Sequence, residues 1–258
     1  MDQLLNVQIL GHTAVIEINN PPVNALSNNL ADELLKCFQE FLNDSSVHVV
    51  VLRGLGEKYF IAGADIKEFP NWIESSGLEE SVTKNHYVIN FIENFPKPTI
   101  AFLNGLTLGG GLEVAMAFDL RYAEEHTKLG VPEINLGIFP GAGGTQRLTK
   151  LIGKARALEM MYFGSPITSE QGLSYGLINE VFKTGEGFEM VLNKAREISE
   201  KSLQAHKSIK EAVLTGERNS FEDAIEHEKK LFIDIFKHPD AKEGIKAFIE
   251  KRKPNFKG

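Results

Sequence analysis

The chain has 258 residues, 42% hydrophobic and 24% charged, with 28 basic side chains against 35 acidic ones and a formal charge of −7 at pH 7. This much apolar side chain offsets the entropy of ordering a backbone, so disorder is excluded and one large or two small domains are expected. No apolar run is long enough for a bilayer, the start MDQLLNVQIL has no basic leader pattern, and the lone Cys37 excludes an internal disulfide, so a cytoplasmic enzyme is expected, and one too acidic for a general nucleic-acid binder.

In chain order, Val7 to Leu10 and Ala14 to Ile18 read as two strands with Gly11-His12 as a hairpin turn. Ser27 is a predicted N-cap, followed by Leu30, Leu34, Leu35, Phe38, Phe41 and Leu42 on one helical stripe that ends at Asn43-Asp44. The continuous run from Val47 to Leu52 predicts a strand buried on both faces. A helical stretch over 77–95 precedes the breaker Pro96-Lys97-Pro98 and a buried strand from Thr99 to Leu103. A glycine turn then leads to a short helix starting near Gly110, and Leu120 to Ala123 is strand-like. Recurring β–β–α units without sequence identity predict a layered or spiral α/β core. From Gly143 the signals are mostly helical, with amphipathic stripes over Phe221–Ile235 and at Ile245, Phe248 and Ile249. The expected division is an α/β core over 1–190 and a helical region over 191–258.

Common cofactor patterns are missing. Gly141-Ala142-Gly143-Gly144-Thr145 lacks the Lys-Ser/Thr ending of a P-loop and the third glycine of a dinucleotide fingerprint. The seven histidines show no His-Glu-x-x-His pattern, so no metal site is expected. Three segments stand out. Phe60 to Lys67 places small residues between an apolar strand and a polar turn. Asn104 to Glu113 contains Gly109-Gly110-Gly111, whose entropic cost fits either close approach of a ligand or close helix–strand packing. Gly130-Val131-Pro132-Glu133 places a carboxylate in a loop.

Two turns that offer backbone N–H groups suit an oxyanion hole, and two carboxylates suit a general acid and base. Taken singly, Glu113 and Glu133 read as solvated or salt-bridged glutamates. Paired carboxylates also fit glycoside hydrolysis, but an oxyanion hole suits acyl rather than acetal chemistry.

At these segments the chain resembles the enoyl-CoA hydratase (crotonase) family. The resemblance runs through Asn24-Ala25-Leu26, Ala62 to Lys67, Asn104 to Glu113, Pro132 to Leu148, and Glu243 to Phe256. It implies an α/β fold with a crotonase-type ββα spiral core and a helical C-terminal region that forms a homotrimer or a dimer of trimers. The amides of Ala64 and Gly110 would hold the thioester oxygen. Glu113 would deprotonate a water and Glu133 would protonate C2, adding water across the C2–C3 double bond of a 2-enoyl-CoA in fatty-acid or related acyl-CoA breakdown. No cofactor is implied, because acyl-CoA is itself the substrate.

The resemblance also implies substrate or CoA contacts at Ala62, Asp65, Ile66, Lys67, Gly141, Phe232, Phe248 and Lys251. Residues 246–258 carry Lys246, Lys251, Arg252, Lys253 and Lys257 against Glu250, a net +4 that leaves −11 on the rest. Such a patch suits a polyphosphate ligand, or a helix end whose cations complement its dipole. Asn20-Pro21-Pro22-Val23-Asn24 lacks the basic residue that relatives often place near the CoA phosphates. The stretch 68–95, with Trp72 and His86, departs from the family pattern and would border the acyl pocket. The alternatives are a 3-enoyl/2-enoyl-CoA isomerase or another reaction of the family and, more remotely, an RNA-binding scaffold.

Overall fold

The computed structural model describes residues 3–70 and 77–256; Trp72 and Lys257 lie outside the described residues. The expected hairpin forms from β1 (Leu5–Leu10) and β2 (Thr13–Ile18), in antiparallel register with Leu5 opposite Ile18. Ser27 caps α1 (Asn28–Asn43) by accepting the Leu30 N–H on its hydroxyl at 3.2 Å. The stripe of α1 buries Leu30, Leu34, Phe38 and Phe41, whereas Leu42 is exposed.

β3 (Val49–Gly54) lies parallel between β2 and β5 (Thr99–Leu103), and its side chains alternate between two cores. Val50 and Leu52 face the main core with Ile16, Leu34 and Leu103. Val49 and Val51 face a second cluster with Val15, Ile100 and Phe102. Burial on both faces is why the run reads as unbroken apolar sequence. The sheet continues through β7 (Leu120–Glu124) to β10 (Glu180–Phe182), in the order β1-β2-β3-β5-β7-β10.

A second sheet, β4 (Tyr59–Ala62), β6 (Leu106–Leu108), β8 (Lys128–Gly130) and β9 (Ile167–Thr168), runs in the order β4-β6-β8-β9. Three neighbouring strands of the large sheet pass directly into strands of the small one: β3 into β4, β5 into β6, β7 into β8. β4, β6 and β8 are mutually parallel, so their carboxyl ends share one edge. The helices that follow are α2 (Gly77–Glu93), α3 (Gly110–Met116) and α4 (Gly144–Ile152), which completes a ββα spiral. β6 and β8 were not legible, being three-residue strands beside glycines. Asn104 braces the spiral, accepting the Gly54 N–H at 2.9 Å and donating to the Gly54 carbonyl at 2.8 Å.

Beyond α5 (Lys154–Phe163) and α6 (Ser169–Tyr175), α7 (Gly187–Ser199) buries Val191 and Ala195 against the second cluster. Residue 190 thus falls inside a helix that covers the large sheet. The last three helices are α8 (Leu203–Gly216), α9 (Phe221–Ile235) and α10 (Pro239–Ile249). They bury little: Phe221, Phe232, Phe248 and Ile249 are 76%, 62%, 86% and 73% exposed.

The basic tail is largely neutralised by acids outside it. Arg252 forks onto Glu243 at 2.6 and 2.9 Å, and Lys253 pairs with Glu200 at 2.8 Å. Of the four described cations in that stretch, Lys251 alone forms no ion pair among the described residues. Summing charge along the chain could not show this, because the partners come from other segments.

Candidate active site

Three turns of the spiral deliver their loops to the same edge of the small sheet. After β4, Gly63 reverses the chain at φ +100°, and Ala64 pairs with Leu26 in a short parallel bridge. The Leu26 N–H donates to the Gly63 carbonyl at 2.9 Å, and the Asp65 N–H to the Leu26 carbonyl at 3.0 Å. Backbone alternation therefore turns the Ala64 N–H to the opposite side of this ladder. After β6, Gly109 takes φ +52° and α3 begins at Gly110. A Cβ built on Gly110 would stand 3.8 Å from the Ala64 nitrogen, so the two amides are neighbours. Neither N–H meets an acceptor among the described residues. After β8, the short 3₁₀ turn Pro132–Leu136 carries Glu133.

The three glycines divide between the two roles left open by the sequence. A Cβ on Gly111 would collide with the Ile61 carbonyl, so that glycine serves close packing of α3 on β4. Gly109 needs its positive φ, and a side chain there would come within 2.8 Å of Glu133 Oε1. Gly110 leaves its amide free.

Glu113 is 2% exposed on α3. Its Oε1 accepts two backbone N–H bonds, from Ala142 and from Gly144, each at 2.7 Å. Burial pushes its pKa up, while those two donors, and then the charges of His86 and Arg147, oppose the shift. Burial, with a smaller contribution from the Glu113 charge, pushes the pKa of Glu133 up to about 7. Glu133 Oε2 is buried without a hydrogen-bond partner among the described residues. A carboxyl oxygen with no donor favours the neutral form, and one with two donors favours the anion. The two carboxyl groups thus differ in their hydrogen bonding beside the two amides: one oxygen of Glu113 has two donors, and one oxygen of Glu133 has none among the described residues.

The other expected contacts fall into two groups. Ala62 ends β4, Asp65 caps the next turn by accepting the Lys67 N–H at 3.1 Å, and Ile66 and Lys67 are exposed beside it. Gly141 is exposed and adjoins Ala142, with room for a Cβ, whose nearest neighbour would be the Phe139 carbonyl at 3.8 Å. These five cluster with Ala64 and the loop that holds Glu113. Phe232, Phe248 and Lys251 instead lie exposed on α9, on α10 and just beyond it.

Sequence reading did not single out the Ala142 and Gly144 donors. The only signal was the glycine spacing in Gly141 to Gly144: a Cβ on Gly144 would come within 2.8 Å of Glu113 Oε1. No cluster of three or more metal-ligating side chains occurs among the described residues.

Comparison with known proteins gives one consistent result. The enoyl-CoA hydratase/isomerase family model matches residues 9–258. A probable enoyl-CoA hydratase of Bacillus subtilis is 43% identical, over 95% of each chain. A short-chain-enoyl-CoA hydratase of Clostridium acetobutylicum is 38% identical over 94% of this chain and 93% of that one. The crystal structure of an enoyl-CoA hydratase from Bacillus anthracis superposes with a TM-score of 0.95 at 35% identity, covering 99% of this chain and all of that one.

Proposed function

The chain belongs to the enoyl-CoA hydratase/isomerase family, and from that footing we propose that it adds water across the C2–C3 double bond of a trans-2-enoyl-CoA to give the 3-hydroxyacyl-CoA. The observation that carries this reading is the pair of differentiated carboxylates, Glu113 and Glu133, beside the unpaired amides of Ala64 and Gly110.

In the proposed reaction the thioester carbonyl sits between the Ala64 and Gly110 amides, which stabilise the enolate oxygen as charge develops. Glu113, oriented by two N–H donors that oppose the effect of its burial, takes a proton from the water that attacks C3. Glu133, protonated near neutral pH, delivers its proton to C2. The added water supplies the hydroxyl at C3 and replaces, by way of Glu113, the proton that Glu133 gives up. Water and thioester are the only reactants, so neither a metal nor a redox cofactor is needed.

The same reading includes oligomerisation. The apolar faces of α9 and α10 are extensive for a monomer, and a homotrimer or dimer of trimers would cover them. No helix among the described residues is long and apolar enough to cross a membrane, and a cytoplasmic place in fatty-acid or related acyl-CoA degradation completes the proposal. Incubation with crotonyl-CoA should remove the conjugated enoyl absorbance. No turnover with short, medium or branched 2-enoyl thioesters would overturn hydration, and 3-enoyl-CoA giving 2-enoyl-CoA as the main product would assign an isomerase instead.

A further inference from the structure

The loop that orients Glu113 is itself held from behind by an arginine. Arg147, on α4, is 8% exposed. Its Nε and Nη2 reach the two carboxylate oxygens of Glu93 at 3.0 and 2.9 Å, a bidentate fork, and Nη2 also donates to Asn90 Oδ1 at 2.7 Å. Both partners lie on α2. The remaining arm, Nη1, donates to the Ala142 carbonyl at 3.2 Å. Ala142 is the residue whose N–H holds Glu113 Oε1. Between the two donors to Glu113, Gly143 takes φ +102°, and a Cβ there would strike Arg147 Nη1. The Nη1 end of the guanidinium therefore occupies the space that a side chain at 143 would need.

We propose that Arg147 is a positioning residue for the acid–base chemistry: it fastens the 142–144 loop to α2 through Glu93 and Asn90, and so keeps the two loop amides aimed at the Glu113 carboxylate. This rests on Glu113 acting as the base. A surface ion pair would add little, but a half-buried bidentate pair is more rigid and directional. Small displacements of a catalytic group are costly, about a hundredfold in rate for roughly 1 Å.

The groups around Glu113 set the expected pH response. His86 of α2 and Arg147 of α4 favour its charged form, and Glu133 of the 3₁₀ turn is its acidic neighbour. The strands packed against α3, β4 and β6, bring Tyr59 and no charged side chain. Removing Arg147 takes away a nearby cation and loosens two donors, and both changes raise the pKa of Glu113.

The test compares Arg147→Gln, Arg147→Lys and Glu93→Gln in steady-state hydration across pH, with carbon-13 titration of the Glu113 carboxyl assigned through Glu113→Gln. In Arg147→Gln, kcat should fall roughly ten- to a hundredfold with KM little changed. The acidic limb of kcat and the carboxyl titration should both move to higher pH. Arg147→Lys should move the limb less and recover part of kcat, since it retains the charge without the fork. A folded Arg147→Gln with wild-type kcat, a loss confined to KM, or an unmoved limb and titration overturns the proposal. Should that variant not fold, Glu93→Gln serves, with a smaller change in the same direction expected and unchanged kcat and titration overturning it. Full turnover in Glu113→Gln would instead refute Glu113 as the base, while the carboxyl titration would still report whether Arg147 controls it.

Discussion

Gly144 donates its backbone N–H to Glu113 Oε1 at 2.7 Å, so the first residue of α4 orients a carboxylate on α3. The bond requires glycine at 144, because a Cβ would come within 2.8 Å of both that oxygen and Pro140 Cβ. Gly144→Ala should lower kcat by about tenfold or more through displacement of the carboxylate. Overpacking should cost roughly 1–3 kcal/mol of stability. Hydration kinetics beside thermal unfolding check both expectations.

In the proposed reaction Glu113→Gln and Glu133→Gln each remove one proton-transfer partner while preserving shape. Each should lower kcat by roughly 10²–10⁴-fold without altering the circular dichroism spectrum. Near wild-type turnover in either variant would remove that residue from the chemistry.

Glu133 gives a pH prediction with a definite sign. Its pKa is pushed up from 4.5 to about 7, and a proton donor must be protonated, so kcat/KM should fall as pH rises through about 7. The folded state also binds this proton more tightly than the unfolded one. The group's contribution to stability is therefore fully present below the unfolded value of 4.5 and is lost as pH rises through about 7. Glu133→Gln should raise the melting temperature relative to wild type at pH 8 and not at pH 4, as scanning calorimetry would show.

Lys97 is 1% exposed and donates its ammonium to the Phe41 carbonyl at 2.5 Å and the Asp44 carbonyl at 2.6 Å, at the end of α1. These are the carbonyls a helix end leaves unpaired. Lys97→Met keeps much of the volume and strands both acceptors, so denaturant unfolding should show a loss of about 2–4 kcal/mol.

The exposed phenylalanines of the last helices test assembly. Sedimentation of the wild type should give a trimer or a hexamer, and Phe232→Asp combined with Phe248→Asp should shift it toward smaller species. A monomeric wild type at micromolar concentration would remove the oligomer from the proposal.

Much of the fold was legible in the sequence because its signals are local. Ser27 caps α1 by a bond three residues away, and the unbroken Val49–Leu52 run records burial on both faces of β3. β6 and β8 escaped because three residues carry no periodicity. The charge pairing of the basic tail was illegible for a related reason: Arg252 meets Glu243 and Lys253 meets Glu200 only after the chain folds back.

The sequence by itself determined which segments bear the chemistry, since glycine triplets and turn glutamates are matters of backbone freedom and side-chain type. Tertiary structure decided what those residues can do. It brought Ala64, Gly110 and Glu133 to one edge through three parallel strands, placed two amides on Glu113, and left Glu133 Oε2 with no donor among the described residues. Proton affinity depends on burial and on neighbours supplied by distant segments, and neither exists until the core has closed.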